Sequence, residues 1–146
     1  MRISVLRPSA IAGLVWVMIV SGCGSTGPEL ADVKGTVTLD GRPLHGATIT
    51  FRPQGEKGTA SYGGTNKDGV YTLMFTRDKN GAMPGEYFVD VETQKPSKSE
   101  LADNKAQGLP EPPPFVPIPK KYRGAEQLKA TVKSGSNTID FPLDTK

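Results

Sequence analysis

The 146 residues suit a single domain, and 18 basic residues against 15 acidic ones leave a net charge of +3. Arg2 and Arg7 lie in the first 22 positions with no acid near them, so residues 23 to 146 hold 16 basic and 15 acidic residues, or +1. That balance argues against a nucleic-acid-binding surface, and the one basic cluster, Lys120, Lys121 and Arg123, reads as a solvated face. A single cysteine excludes an intrachain disulfide.

The chain opens with a positive zone at Arg2 and Arg7. An uncharged apolar run from Ala10 to Val20 follows, then Ser21, Gly22 and Cys23. Positive charge, a short apolar run and small residues at a cleavage point predict a secretory signal. The run of 11 residues is too short for a permanent helical span, which takes about 20. Val20-Ser21-Gly22-Cys23 resembles the lipobox of bacterial lipoproteins. The resemblance implies cleavage between Gly22 and Cys23, and fatty acyl chains such as palmitate on the Cys23 sulfur. A thiol is nucleophilic enough to be alkylated, and each buried methylene adds about 0.8 kcal/mol of membrane binding, so two or three chains hold stably. The expected organisation is a signal peptide over 1–22, the lipidated cysteine and a Gly/Ser-containing tether over 23–32, and a folded domain over 33–146. The membrane is thus an expected partner, through lipid on Cys23. With Gly24 rather than Asp after the cysteine, the resemblance points to the outer membrane or the periplasmic face of the envelope.

From Val33 the pattern has period two, as in half-buried strands: Val33 to Leu39, then Ala47 to Phe51 after the hairpin signal Asp40-Gly41. Thr59 to Thr65 is a strand loosened by Gly63 and Gly64. Asn66 to Gly69 turns, Val70 to Phe75 is a strand, Asp78 to Gly81 turns, and Glu86 to Glu92 is a strand. Lys95 to Gly108 is charged and poor in large apolar residues, which predicts an exposed loop or mobile insertion with at most a helical turn over Leu101–Ala106. Leu109 to Pro119 holds six prolines and predicts an extended crossing over the surface, because proline offers no amide to a sheet. Strands over Leu128–Val132 and Thr138–Leu143 flank a turn at Ser134–Asn137.

Seven short strands separated by turn signals predict an all-β fold, an antiparallel seven-stranded β-sandwich. The expected inward set is Val33, Val37, Leu39, Ile49, Phe51, Leu73, Phe75, Tyr87, Val89, Val91, Leu128, Ala130, Val132, Ile139, Phe141 and Leu143. Val70, Tyr71 and Phe88 have apolar neighbours on both sides, and their faces stay open.

Val33-Lys34-Gly35-Thr36-Val37, Gly41-Arg42-Pro43-Leu44, Gly46-Ala47-Thr48-Ile49, Thr65 to Leu73 and Pro84 to Val91 together resemble a carboxypeptidase regulatory-like domain. Such domains have a transthyretin-like (prealbumin-like) sandwich. The resemblance covers roughly residues 33 to 143, and the tail from Pro119 to Phe141 is similar to small planctomycete-type lipoproteins built on this module. It implies a non-enzymatic role in binding or scaffolding, with an unknown envelope protein or glycan as partner. Physically, Gly35 within a strand allows a bulge or a close approach.

Candidate chemistry is sparse. His45, the only histidine, lacks a second imidazole with which to share a metal, and reads as a turn residue before it reads as a dyad with Asp40. Tyr122-Arg123-Gly124 resembles part of the Tyr-Arg-Gly-Ser ending of hydroxyisourate hydrolases. Here Ala125 replaces the serine and 22 residues follow Gly124. Asn66-Lys67-Asp68-Gly69 has the start of a calcium loop without the later acid, so a hairpin turn is the better reading. No catalytic residue, cofactor or metal is expected. The leading expectation is a lipid-anchored, non-catalytic envelope module. The alternatives are a carbohydrate-binding module using Tyr62, Tyr71 or Tyr122 as glycan-facing rings, and a small hydrolase of the hydroxyisourate-hydrolase type.

Overall fold

The computed structural model describes residues 27–55, 58–123 and 128–146. The expected signal peptide and the cleavage and lipidation positions Gly22 and Cys23 lie outside the described residues.

The first strand, β1 (Asp32–Leu39), buries Val33, Gly35 and Val37 on one face, as its alternation requires. It ends in a tight hairpin to β2 (Arg42–Pro43), with Leu39 opposite Arg42. Asp40 and Gly41 both take left-handed backbone angles there, φ 49° and 77°. That conformation suits a two-residue turn between right-twisted strands, and Asp-Gly is the pair that tolerates it.

β3 (Ala47–Pro53) and β4 (Ser61–Gly64) pair antiparallel. The expected strand over 70–75 divides at Leu73 into β5 (Val70–Thr72) and β6 (Met74–Thr76). β5 pairs with β1, whereas β6 pairs with β4, so the chain crosses from one sheet to the other at Leu73. Leu73 is fully buried at that crossing. Its N–H donates to the Val33 carbonyl, and its own carbonyl accepts from Gly81 N–H. β7 (Lys79–Asn80) closes a hairpin on β6, so the turn falls at Arg77–Asp78, ahead of the expected Asp78–Gly81.

β8 (Gly85–Thr93) pairs antiparallel with β3 on one side and with β9 (Leu128–Val132) on the other. The expected strand over 138–143 also divides, into β10 (Ser136–Thr138) and β11 (Phe141–Leu143). Both pair parallel with β1, which corrects the expected purely antiparallel arrangement. The chain is therefore predominantly β. A sheet of β1, β2, β5, β10 and β11 and a six-stranded antiparallel sheet in the order β7-β6-β4-β3-β8-β9 are consistent with an all-β sandwich. Among the described residues there are eleven strands, several only two or three residues long: the seven expected segments supply nine of them, two by division, and β2 and β7 fall outside every expected segment.

The break between β10 and β11 has a physical cause at Gly35. A β-carbon on Gly35 would stand 1.8 Å from the Ile139 carbonyl oxygen, so that oxygen occupies side-chain space. Ile139 N–H still donates to the Lys34 carbonyl, while the Asp140 carboxylate accepts from Thr36 N–H at 2.7 Å in place of a backbone carbonyl.

Between the sheets, Tyr71 and Phe141 from one meet Phe51 and Tyr87 from the other, with ring centroids 5.7 to 6.4 Å apart. Most of the expected inward set is buried there. Leu39, Leu128 and Ile139 are only partly buried but pack against the core, and Phe75 is half-exposed at the sheet margin. The three open positions separate cleanly: Tyr71 points inward, Val70 outward, and Phe88 lies half-buried on the outer face with Lys129 Nζ 5.6 Å from its ring.

The segment expected to be a loop contains one helix, α1 (Lys98–Ala106), which has no buried residue. It is capped by the Ser97 hydroxyl, which accepts from Glu100 N–H at 3.1 Å. From Leu109 to Pro119 the chain forms neither helix nor strand, as its prolines require.

Candidate binding surfaces

The sandwich has two dissimilar poles. β1 runs from a pole where Ala31 bridges Ala82 to one where its end meets Pro43 and Leu143. Eight residues of strand put these poles about 25 Å apart. The chain leading back toward Cys23 leaves at the first pole, through Gly27 to Leu30. The stretch from Gln94 to Arg123 caps the second, because β8 reaches that end at Thr93, opposite Ala47.

Three contacts seat the cap. Pro113 lies directly over Gly46, where a β-carbon would come 2.3 Å from its ring. The Thr93 hydroxyl donates to the Val116 carbonyl at 2.6 Å. Ile118 enters the core at 3 % exposure, with Val116 packed beside it. Val116 and Ile118 share one parity of an extended chain and face inward; Phe115, on the other parity, is 40 % exposed. That alternation was visible among the prolines, but Leu109–Pro119 is expected from sequence only as a surface crossing, with no side chain assigned inward or outward.

Between the end of β8 and this proline run lies an open cleft of about 380 Å³, with Val91, Ile118 and Phe115 as its apolar lining and Lys95, Arg123 and Glu92 as its charged lining. A second groove, of about 570 Å³, runs between α1 and the start of the proline run, bordered by Leu101, Lys105, Leu109 and Glu111.

The tyrosines proposed as glycan-facing rings are not brought together. Tyr62 is 41 % exposed on the outer face of the six-stranded sheet, opposite Thr50 on β3 and Met74 on β6. Tyr71 corrects the expectation: it is 1 % exposed, packed between Phe51 and Phe141, with its hydroxyl donating to the Ile139 carbonyl at 2.7 Å. Desolvation raises its pKa far above the ordinary value of 10.0, and the nearby Asp140 charge adds to the shift. A ring so enclosed offers no face to a sugar. Tyr122 is half-buried against the core, and its hydroxyl both donates to Asp144 Oδ2 and accepts from Asp144 N–H, each at 3.2 Å. Lys121 pairs with the same carboxylate and lies over the ring, 5.0 Å from its centre. That pairing holds the Asp144 carboxyl below its ordinary range.

Asp40 and His45 do not form a dyad. Thr145 occupies both Asp40 carboxylate oxygens, its N–H at 2.9 Å and its hydroxyl at 2.8 Å, while His45 is exposed in the turn after β2. Asn66 serves a turn: its Oδ1 accepts from Asp68 N–H and Val70 N–H at 2.9 and 3.0 Å, the bonds of a hairpin rather than of a calcium loop. Gly124 and Ala125, which follow Tyr122-Arg123, lie outside the described residues. Among the described residues no group of histidine, cysteine, aspartate or glutamate side chains is arranged to hold a metal ion, and no helix is long and apolar enough to cross a membrane.

No family model matches the chain, and no curated protein matches it.

Proposed function

We propose that this chain is a lipid-anchored, non-catalytic module of the bacterial cell envelope. It is tethered through Cys23, and its sandwich, of transthyretin-like type, binds or organises another envelope component. The carrying observation is the separation of its poles. The tether leaves beside Ala31, while the exposed cap with its cleft stands at the far end, so an anchor on Cys23 would present the cap away from the membrane. The eight residues from Cys23 to Leu30 reach at most about 28 Å when extended, enough to clear the lipid headgroups. Support for the anchor itself comes from Val20-Ser21-Gly22-Cys23 at the end of an apolar run, on the only cysteine. A non-catalytic role agrees with an Asp40 carboxylate held by Thr145 and an exposed His45.

Intact mass and membrane fractionation of the wild type against Cys23→Ala test this reading. The wild type should begin at Cys23, carry acyl mass and sediment with membranes, and the variant should move to the soluble fraction. Retention of the variant at native levels would overturn it. A second reading, a carbohydrate-binding module, rests on Tyr62, the one candidate ring standing open on a sheet face. A glycan array without hits removes it.

A further inference from the structure

Charge and exposed apolar surface are concentrated in one place. Between Gln94 and Arg123 the chain has six basic residues (Lys95, Lys98, Lys105, Lys120, Lys121 and Arg123) and three acidic ones (Glu100, Asp103 and Glu111), a balance of 6 − 3 = +3. The mature stretch 23–146 totals +1, so everything outside the cap sums to 1 − 3 = −2. The cap segment thus carries the net positive charge, although Asp144 of the body pairs with Lys121 and Glu92 lines the cleft beside Lys95 and Arg123. It also carries Leu101, Leu109 and Phe115, three large apolar side chains that are 40 to 51 % exposed. The helix within it buries nothing, although Leu101 and the groove beside it would accept apolar contact. Ordered backbone that holds greasy side chains in water gains nothing from them in the isolated fold.

We propose that the cap is a docking surface for an acidic segment of a partner envelope protein, one that carries an apolar side chain among its carboxylates. The apolar side chain packs on Phe115 at the mouth of the cleft, above the buried Val91 and Ile118, and flanking carboxylates meet Lys95 and Arg123. This deepens the binding role proposed above by naming the surface and the chemistry of its partner. Charge complementarity selects the occupant. A positive surface repels a basic segment, and Glu92 at the rim disfavours a polymer with a carboxylate on every unit more than a segment whose carboxylates are spaced. An anionic lipid surface fits less well, because the tether emerges at the opposite pole.

The full lipidated chain, held in neutral phosphatidylcholine nanodiscs, is the bait for a phage-displayed library of short random peptides. An enriched peptide is then synthesised with a fluorophore and titrated by anisotropy. The expected result is enrichment of peptides that combine aspartate or glutamate with an aromatic or aliphatic residue. Their affinity should fall with rising salt. It should fall about tenfold or more for Phe115→Ser, and likewise for the double variant Lys95→Glu, Arg123→Glu. Tyr62→Ala, on the sheet face, should bind as the wild type does. Because all these side chains are exposed, the variants should keep their fold, which circular dichroism checks. No enrichment, enrichment of peptides without acids, or binding unaffected by the cap variants would overturn the proposal. So would an oligouronate that binds the cap more tightly than any peptide. A soluble Cys23→Ala protein that still binds the peptide keeps the two readings separable: the anchor fails by fractionation, the cap by anisotropy.

Discussion

At Gly35 the carbonyl oxygen of Ile139 stands where a side chain would begin. Because the obstacle is backbone held by its own hydrogen bonds, it has little freedom to move aside. Gly35→Ala is expected to cost about 3 kcal/mol or more in urea unfolding, at the upper end of overpacking effects. Gly64→Ala, where the nearest atom is 4.0 Å away, should cost much less. A Gly35→Ala loss below about 1 kcal/mol would mean that the β10–β11 break relaxes freely. The carbonyl that excludes a side chain at Gly35 also accepts from the Tyr71 hydroxyl, which ties the same spot to the aromatic core. Burial raises the pKa of Tyr71, and of Tyr87 as well, so the folded state keeps these protons more tightly than the unfolded chain does. Their contribution is complete below the unfolded value of 10.0 and is lost as pH rises above it. Stability should therefore fall from about pH 10 upward, and Tyr71→Phe should flatten that fall while losing about 1 kcal/mol at neutral pH. Chemical denaturation of both proteins across the alkaline range measures the difference, and equal slopes would refute the assignment. Sequence alone left Tyr71 undecided, because Val70 and Thr72 gave no clear alternation. Its direction is set by β5 pairing with β1, a contact between residues far apart in the chain.

Among the longer elements, α1 buries no residue, whereas β1, β3, β8 and β9 each bury one face. Nine residues are too few for a stable isolated helix in water, where about 12 to 15 are marginal. Its local support is the Ser97 cap, with Glu100 in its first turn and Lys105 in its last. Hydrogen exchange should find the α1 amides close to unprotected while those of β1, β3 and β8 are slow. Ser97→Ala should lower the helix signal yet change global stability by less than about 0.5 kcal/mol. Strong protection of α1 in the isolated protein would show a packing partner for the helix. The same contrast explains what could be read beforehand. Strands β1, β3, β8 and β9 alternate over a half-buried sheet, and their period was plain in Val33–Leu39, Ala47–Phe51, Glu86–Glu92 and Leu128–Val132. The divided strands were not legible as such. Nothing in the residues around Leu73 marks a change of sheet, and the break after Thr138 depends on Gly35, more than a hundred positions away.

Over the whole molecule, the hairpin at Asp40–Gly41 and the turn at Asn66–Gly69 follow from local backbone preference, so short sequence motifs disclosed them. The cap was only half disclosed. Its prolines ruled out a sheet, but that Ile118 closes the core and Phe115 opens onto a cleft depends on where Thr93 and Gly46 hold the run. Candidate binding residues suffered most, since exposure of a tyrosine is decided by the packing of both sheets together.

Parallel pairing of β1 with β10 and β11 sets an order on assembly. The first strand of the sandwich lies in the middle of its sheet, and one of its two edges is filled only by segments about a hundred residues later. Loop closure over that span is slow relative to local hairpins, and a chain threaded from its amino end cannot complete the sheet until those late residues emerge. A polypeptide of this topology cannot close its first sheet until its last strands are present, so loss of β10 and β11 would leave one whole edge of β1 without partners.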